Sequence, residues 1–234
     1  MAEAARLLNV HTAAAAAVAV LLTAHLFWRW RRAQRLRAGA TDRFYAAVSP
    51  LLDQARHEST GAVGYSRLCG RYGGFDVQIQ PVVDTLALRR LPVLWLLVTL
   101  QSPLPLRAKL DLMMRSAGPT TFSNFDLLPF TLERPSGFPD HATLRTDSRD
   151  QVVSPEVLRA HVGLFANPRA KELLITTNGV RIVWMLAEAD RARYGIFRQA
   201  DFGEVDLQPE LLQSLVSRLI AVRQSVIDWQ SKHS

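Results

Sequence analysis

The sequence predicts an α+β protein: one N-terminal transmembrane helix, then a largely antiparallel sheet with helices packed on it and a long C-terminal helix. Three observations predict it. Residues 7–28 hold no Asp, Glu, Lys or Arg. Beyond residue 64, strand-rich stretches follow one another as hairpins with few helical patterns between them. After Asp206 the apolar residues Leu211, Leu215, Leu219, Val222 and Val226 repeat at helical spacing.

The apolar stretch LLNVHTAAAAAVAVLLTAHLFW spans Leu7 to Trp28. Its 22 residues would rise about 33 Å as a helix, enough for a hydrocarbon core of about 30 Å. Phe27, Trp28 and Trp30 mark one interface, where amphipathic rings prefer to sit. Arg29, Arg31, Arg32, Arg35 and Arg37 follow, placed to meet anionic lipid headgroups. Positive flanks stay cytoplasmic, so the expected location is a bacterial inner membrane, N-terminus periplasmic and globular domain cytoplasmic. The charge follows the apolar run, which is the wrong order for a cleaved signal peptide.

Small residues four apart let helix backbones approach closely in lipid. Thr12 with Ala16 and Ala13 with Ala17 form such a face, expected to meet another integral membrane protein or a second copy of the chain. His25 is read as an interfacial or packing residue, because Leu21 one turn earlier would crowd a macrocycle.

The net charge of +7 on 234 residues suggests a nucleic-acid binder until it is located. Six arginines between residues 29 and 43, less Asp42, account for +5; residues 1–28 are balanced, and only +2 remains for 44–234. A phosphate-tracking surface needs a basic stripe on the fold itself, so nucleic acid is not an expected partner. The single cysteine, Cys69, excludes an intrachain disulfide and reads as a small buried hydrophobe.

The expected organisation is a membrane anchor with its basic run over 1–37, a connecting helical segment over 38–64, and an α+β domain over 65–234. Phe44, Val48, Leu51, Leu52 and Ala55 give residues 41–58 a helical period. Residues 65–72 and 75–83 read as a hairpin about Gly73-Gly74, and VLWLLVTL, Val93 to Leu100, as a fully buried central strand. Short strands are expected at 109–114, 130–133 and 142–146. Ser154-Pro155-Glu156 opens a helix running to about Ala166. KELLITT-NG-VRIVWML reads as a hairpin with Asn178 and Gly179 both at positive φ. Asp206 caps the last helix, from about Leu207 to Trp229.

No GxSxG, HExxH, CxxC, Walker or EF-hand pattern is present. His57, His141, His161 and His233 have no metal-ligand spacing, and the loop acids Asp140, Asp147 and Asp150 beside His141 form the one polar cluster with any claim to be a site. No catalytic residue, metal or cofactor is assigned. The expected function is a non-catalytic accessory or assembly subunit of a membrane protein complex; the alternative is a membrane-tethered cytoplasmic ligand-binding or enzymatic domain of unknown chemistry.

Overall fold

The computed structural model describes residues 22–28, 43–59, 65–84, 86, 91–197 and 200–233. The chain divides into two compact units, Met1–Asp42 and Arg43–Ser234.

The second unit is built on one nine-stranded antiparallel sheet: β1 (Asp53–Glu58), β2 (Arg67–Tyr72), β3 (Phe75–Asp84), β4 (Val93–Gln101), β5 (Leu110–Met114), β6 (Phe130–Leu132), β7 (Ala142–Thr146), β8 (Ala170–Thr176) and β9 (Gly179–Glu188). Their spatial order is β1-β2-β3-β4-β9-β8-β5-β7-β6. Two half-sheets form first along the chain, a β1–β4 meander and the β5-β7-β6 group. The β8–β9 hairpin then inserts between β4 and β5. On one side β9 pairs with β4 from Val93↔Glu188 to Gln101↔Gly179; on the other β8 pairs with β5 from Leu110↔Ile175 to Met113↔Glu172.

Strand period 2 divides the sheet into two unlike faces. Leu96, Val98, Leu100, Ile182, Val180, Leu173, Ile175, Leu110 and Leu112 point to one side and are fully buried. Helix α2 (Pro209–His233) packs there across β4 and β9, through Leu212, Leu215, Val216, Leu219, Val222 and Val226. A 3-10 helix, Pro155–Ala166, sits beside it. The opposite face carries a smaller cluster, Trp95, Leu97, Met113, Phe122, Phe125 and Val183. A shorter α-helix of this unit, α1 (Arg191–Phe197), follows β9.

The structure corrects the predicted fold in its N-terminal part. No helix among the described residues is long and apolar enough to cross a membrane. Of the expected span only residues 22–28 are described, as helix, and the rest lies outside the described residues. The single-pass architecture is therefore replaced by a nine-stranded sheet with a C-terminal helix, and the topology argument that rested on a span goes with it.

Smaller differences have local causes. Residues 53–58, read as helical, form edge strand β1: of the apolar set only Phe44, Val48 and Leu52 are buried, Tyr45 joins them, and the stretch after them pairs with β2. The edge is blunted by a bulge between Asp53 and Arg56, with Gln54 at φ 54°. The 154–166 helix is 3-10: Leu158, His161 and Leu164, three apart, share one face, and His161 Nε2 meets Ser225 Oγ of α2 at 2.9 Å. Ser154 caps it as expected, its Oγ accepting from the Glu156 N–H at 3.3 Å. In the β8–β9 hairpin the two-residue loop is Thr177-Asn178, closed by the pair Thr176↔Gly179, and only Gly179 has positive φ, 146°. Gly179 is required for space as well: a Cβ there would stand 2.0 Å from the Leu100 carbonyl oxygen. α2 starts at Pro209, two residues later than expected, and Leu211 lies beside its buried stripe.

The two faces set a testable order of costs. Leu96 faces the large helix-covered core and Leu97 the small cluster. Both Leu→Ala changes fall in the range of about 2–5 kcal/mol for core truncations, with Leu96→Ala toward the upper end. Urea denaturation of the two variants checks this; a larger loss for Leu97→Ala would contradict the assignment of faces.

Candidate functional site

The site grows from the open face of the sheet. Strand register sets one transverse row there: Gln78 on β3, Thr99 on β4, Arg181 on β9, Leu174 on β8, Asp111 on β5 and Arg145 on β7. The next row places Leu97, Val183, Glu172 and Met113 side by side. Asp111 and Glu172 are thus diagonal neighbours on adjacent strands, within side-chain reach.

Both acids are deeply buried, Asp111 at 2% exposure and Glu172 at 0%. Burial pushes both carboxyls above the usual range; Asp111 stands well above it, raised further by the Glu172 charge and by the hydrogen bond between the two. The Ser123 hydroxyl donates to Glu172 Oε1 and opposes the rise there, with Arg181 acting in the same sense. Asp111 Oδ1 and Glu172 Oε2 have no N–H or hydroxyl donor. Two buried acceptors without a donor require a proton between them, since leaving both charges unpaired would cost several kcal/mol. Of the two, Asp111 is raised the further, by its burial first and the Glu172 charge next.

The loop over residues 116–128 lies on this pair. Phe122 packs on Trp95 with ring centroids 5.0 Å apart, and the guanidinium of Arg145 stands 5.2 Å from the Phe125 ring centroid. Arg145 also donates to the Asp126 carbonyl at 3.2 Å, and Thr121 Oγ1 to the Val83 carbonyl at 3.4 Å. Between loop and sheet is a cavity of about 400 Å³ lined by Asp111, Ser123, Lys109 and Arg181 together with Phe122, Leu128 and Leu174. A second groove, of about 660 Å³, continues past Lys109, Thr176 and Arg181 to Gln78, Thr99 and Gln101. Arg181 is common to both. Its Nε donates to Thr99 Oγ1 at 3.1 Å, and it makes no direct ion pair among the described residues.

The residues predicted as sites lie elsewhere. Arg29, Arg31, Arg32, Arg35 and Arg37, and the face formed by Thr12, Ala13, Ala16 and Ala17, fall outside the described residues. The loop acids do not converge: Asp140 pairs with Arg134, and Asp147 Oδ1 accepts from the Lys109 N–H at 2.8 Å. Among the described residues no group of three His, Cys, Asp or Glu is placed to hold a metal ion. Cys69 is buried, and burial raises its thiol pKa. Sequence reasoning missed Asp111, Glu172 and Arg181. Each occupies a polar position in an alternating strand, which reads as solvated; the loop that buries the acids is more than forty residues from Glu172 in sequence.

No protein-family model and no curated protein sequence matches the chain. Among solved structures it is similar to the crystal structure of the mycobacterial trehalose monomycolate transport factor A, TtfA. The TM-score is 0.42 at 13% identity, over 82% of this chain and 95% of that one. A likeness of that size says nothing of what this chain does.

The carboxyl pair has a pH signature. Its folded-state pKa values stand above those of the unfolded chain, so between the two the native state holds more protons. Stability then falls as pH rises through that window. Asp111→Asn keeps the shape and supplies an N–H donor without a titrating proton. Its melting temperature should gain on that of the parent from pH 4 to pH 8. A difference that stays constant across that range would contradict the shared proton.

Proposed function

We propose that this chain is a non-catalytic accessory or assembly subunit of a bacterial membrane protein complex, held at the membrane surface by its N-terminal unit. The observation behind this reading is the helical stretch 22–28, where Leu22, Leu26, Phe27 and Trp28 are all more than half exposed. Arg29, Arg31, Arg32, Arg35 and Arg37 follow directly in sequence. Aromatic rings favour the headgroup level, and each arginine near an anionic surface contributes about 1 kcal/mol. In this reading the apolar side chains seat in the interface and the arginines meet lipid phosphates. The smooth face of Thr12, Ala13, Ala16 and Ala17 is the proposed contact for a helical partner, another membrane protein or a second copy. The unit beyond Asp42 is the part the complex uses.

Vesicle flotation tests the surface role. The full chain should float with phosphatidylglycerol vesicles at low salt and remain below with phosphatidylcholine alone. Replacing Arg31, Arg32 and Arg35 with Glu should abolish flotation. Equal flotation of that variant, or none of the parent, removes the role. Cross-linking in native membranes tests the subunit role: a reproducible integral-membrane partner is expected, and recovery of the chain alone contradicts it.

A further inference from the structure

The half-open cavity under the 116–128 loop has no part in the membrane-surface reading, and its lining specifies a ligand. We propose that it binds a small organic oxyanion, a phosphate monoester or carboxylate with a compact apolar body.

The charges set the sign. Arg181 and Lys109 both line the cavity. The buried Asp111 and Glu172 carboxyls, which burial holds toward the uncharged form, stand against these two cations. Lys109 is only loosely held, its Nζ 3.9 Å from Asp147 Oδ2 with both side chains partly exposed. Arg181 is mostly enclosed yet makes no direct ion pair among the described residues, and its side-chain hydrogen bond there goes through Nε to Thr99. The rest of the guanidinium fork is therefore left for a planar or tetrahedral oxyanion, which it engages with paired N–H donors.

Thr121 and Thr176 also line the polar wall, their hydroxyls donating to the Val83 and Gly179 carbonyls. Asp111, buried, forms part of the same wall. Phe122, Leu128 and Leu174 line the cavity as apolar surface, so the ligand has an apolar part opposite its charge. A volume of about 400 Å³ lies within the ordinary range for small-molecule sites and excludes a folded protein segment.

Calorimetric titration of the full-length chain with phenyl phosphate, and with benzoate as the carboxylate counterpart, tests the proposal. Benzyl alcohol serves as the uncharged control. At least one of the two anions should bind saturably with one site per chain, and benzyl alcohol should not. Arg181→Gln should weaken binding roughly tenfold or more, the value of one charge-assisted hydrogen bond. Lys109 is largely solvent-facing, so Lys109→Gln keeps the fold and should weaken binding severalfold even where Arg181→Gln fails to fold. Absence of saturable binding by both anions, equal binding of the uncharged control, or unchanged affinity in Lys109→Gln and a folded Arg181→Gln each overturns the site.

Discussion

The β8–β9 hairpin is the constraint on which the rest depends. It enters last along the chain and must pair with β4 on one side and β5 on the other before the two half-sheets become one. Its register is held by the core face, where a one-residue slip would turn Leu173, Ile175, Val180 and Ile182 to the open side and bring Glu172, Leu174 and Arg181 into the helix-covered core. Gly179 admits the hairpin at its tip, where the backbone passes so close to the Leu100 carbonyl that no side chain fits. The same register that closes the sheet sets Glu172 beside Asp111 and Arg181 above the cavity. Fold and site are consequences of one insertion.

Covering only one face with α2 leaves the other face to manage its own solvation. It does so in two ways along its length. Where β4, β9 and β5 present Trp95, Leu97, Val183 and Met113, the 116–128 loop supplies Phe122 and Phe125 as a lid. Where the strands turn polar, the face opens into a groove past Arg181. The acid pair lies at the boundary, close enough to the lid to lose water and close enough to the cations to feel their field. Arg145 holds the lid down by reaching its carbonyl oxygens, so removing that guanidinium would loosen the cover over the acids as well as one edge of the cavity.

Much of the sheet was legible because period-two alternation is a local signal. The Gly73-Gly74 hairpin, the buried run from Val93, the 142–146 strand and the apolar stripe of the last helix all emerge from spacing alone. What was not legible depended on partners distant in sequence. Residues 53–58 pair with β2, which their own helical period does not show. The order in which β9 and β8 come between β4 and β5 leaves no mark on any one strand. Asp111 and Glu172 occupy positions that would be wet in an uncovered sheet, and the loop that dries them opens with Ser116-Ala117-Gly118-Pro119-Thr120-Thr121, which reads as ordinary connection. The apolar N-terminal stretch read as a membrane span because it lacks charge, whereas no helix among the described residues is long and apolar enough to cross a membrane.

The central claim is that the hairpin's insertion traps one proton between two carboxyls on the open face. Carboxyl carbon NMR titration measures this directly, with the two resonances assigned through Asp111→Asn and Glu172→Gln. The structure requires that both carboxyls titrate above the ordinary carboxylate range, Asp111 well above it. Two independent titrations, both at ordinary Asp and Glu values, would show that the pair is solvated and that the loop does not cover it.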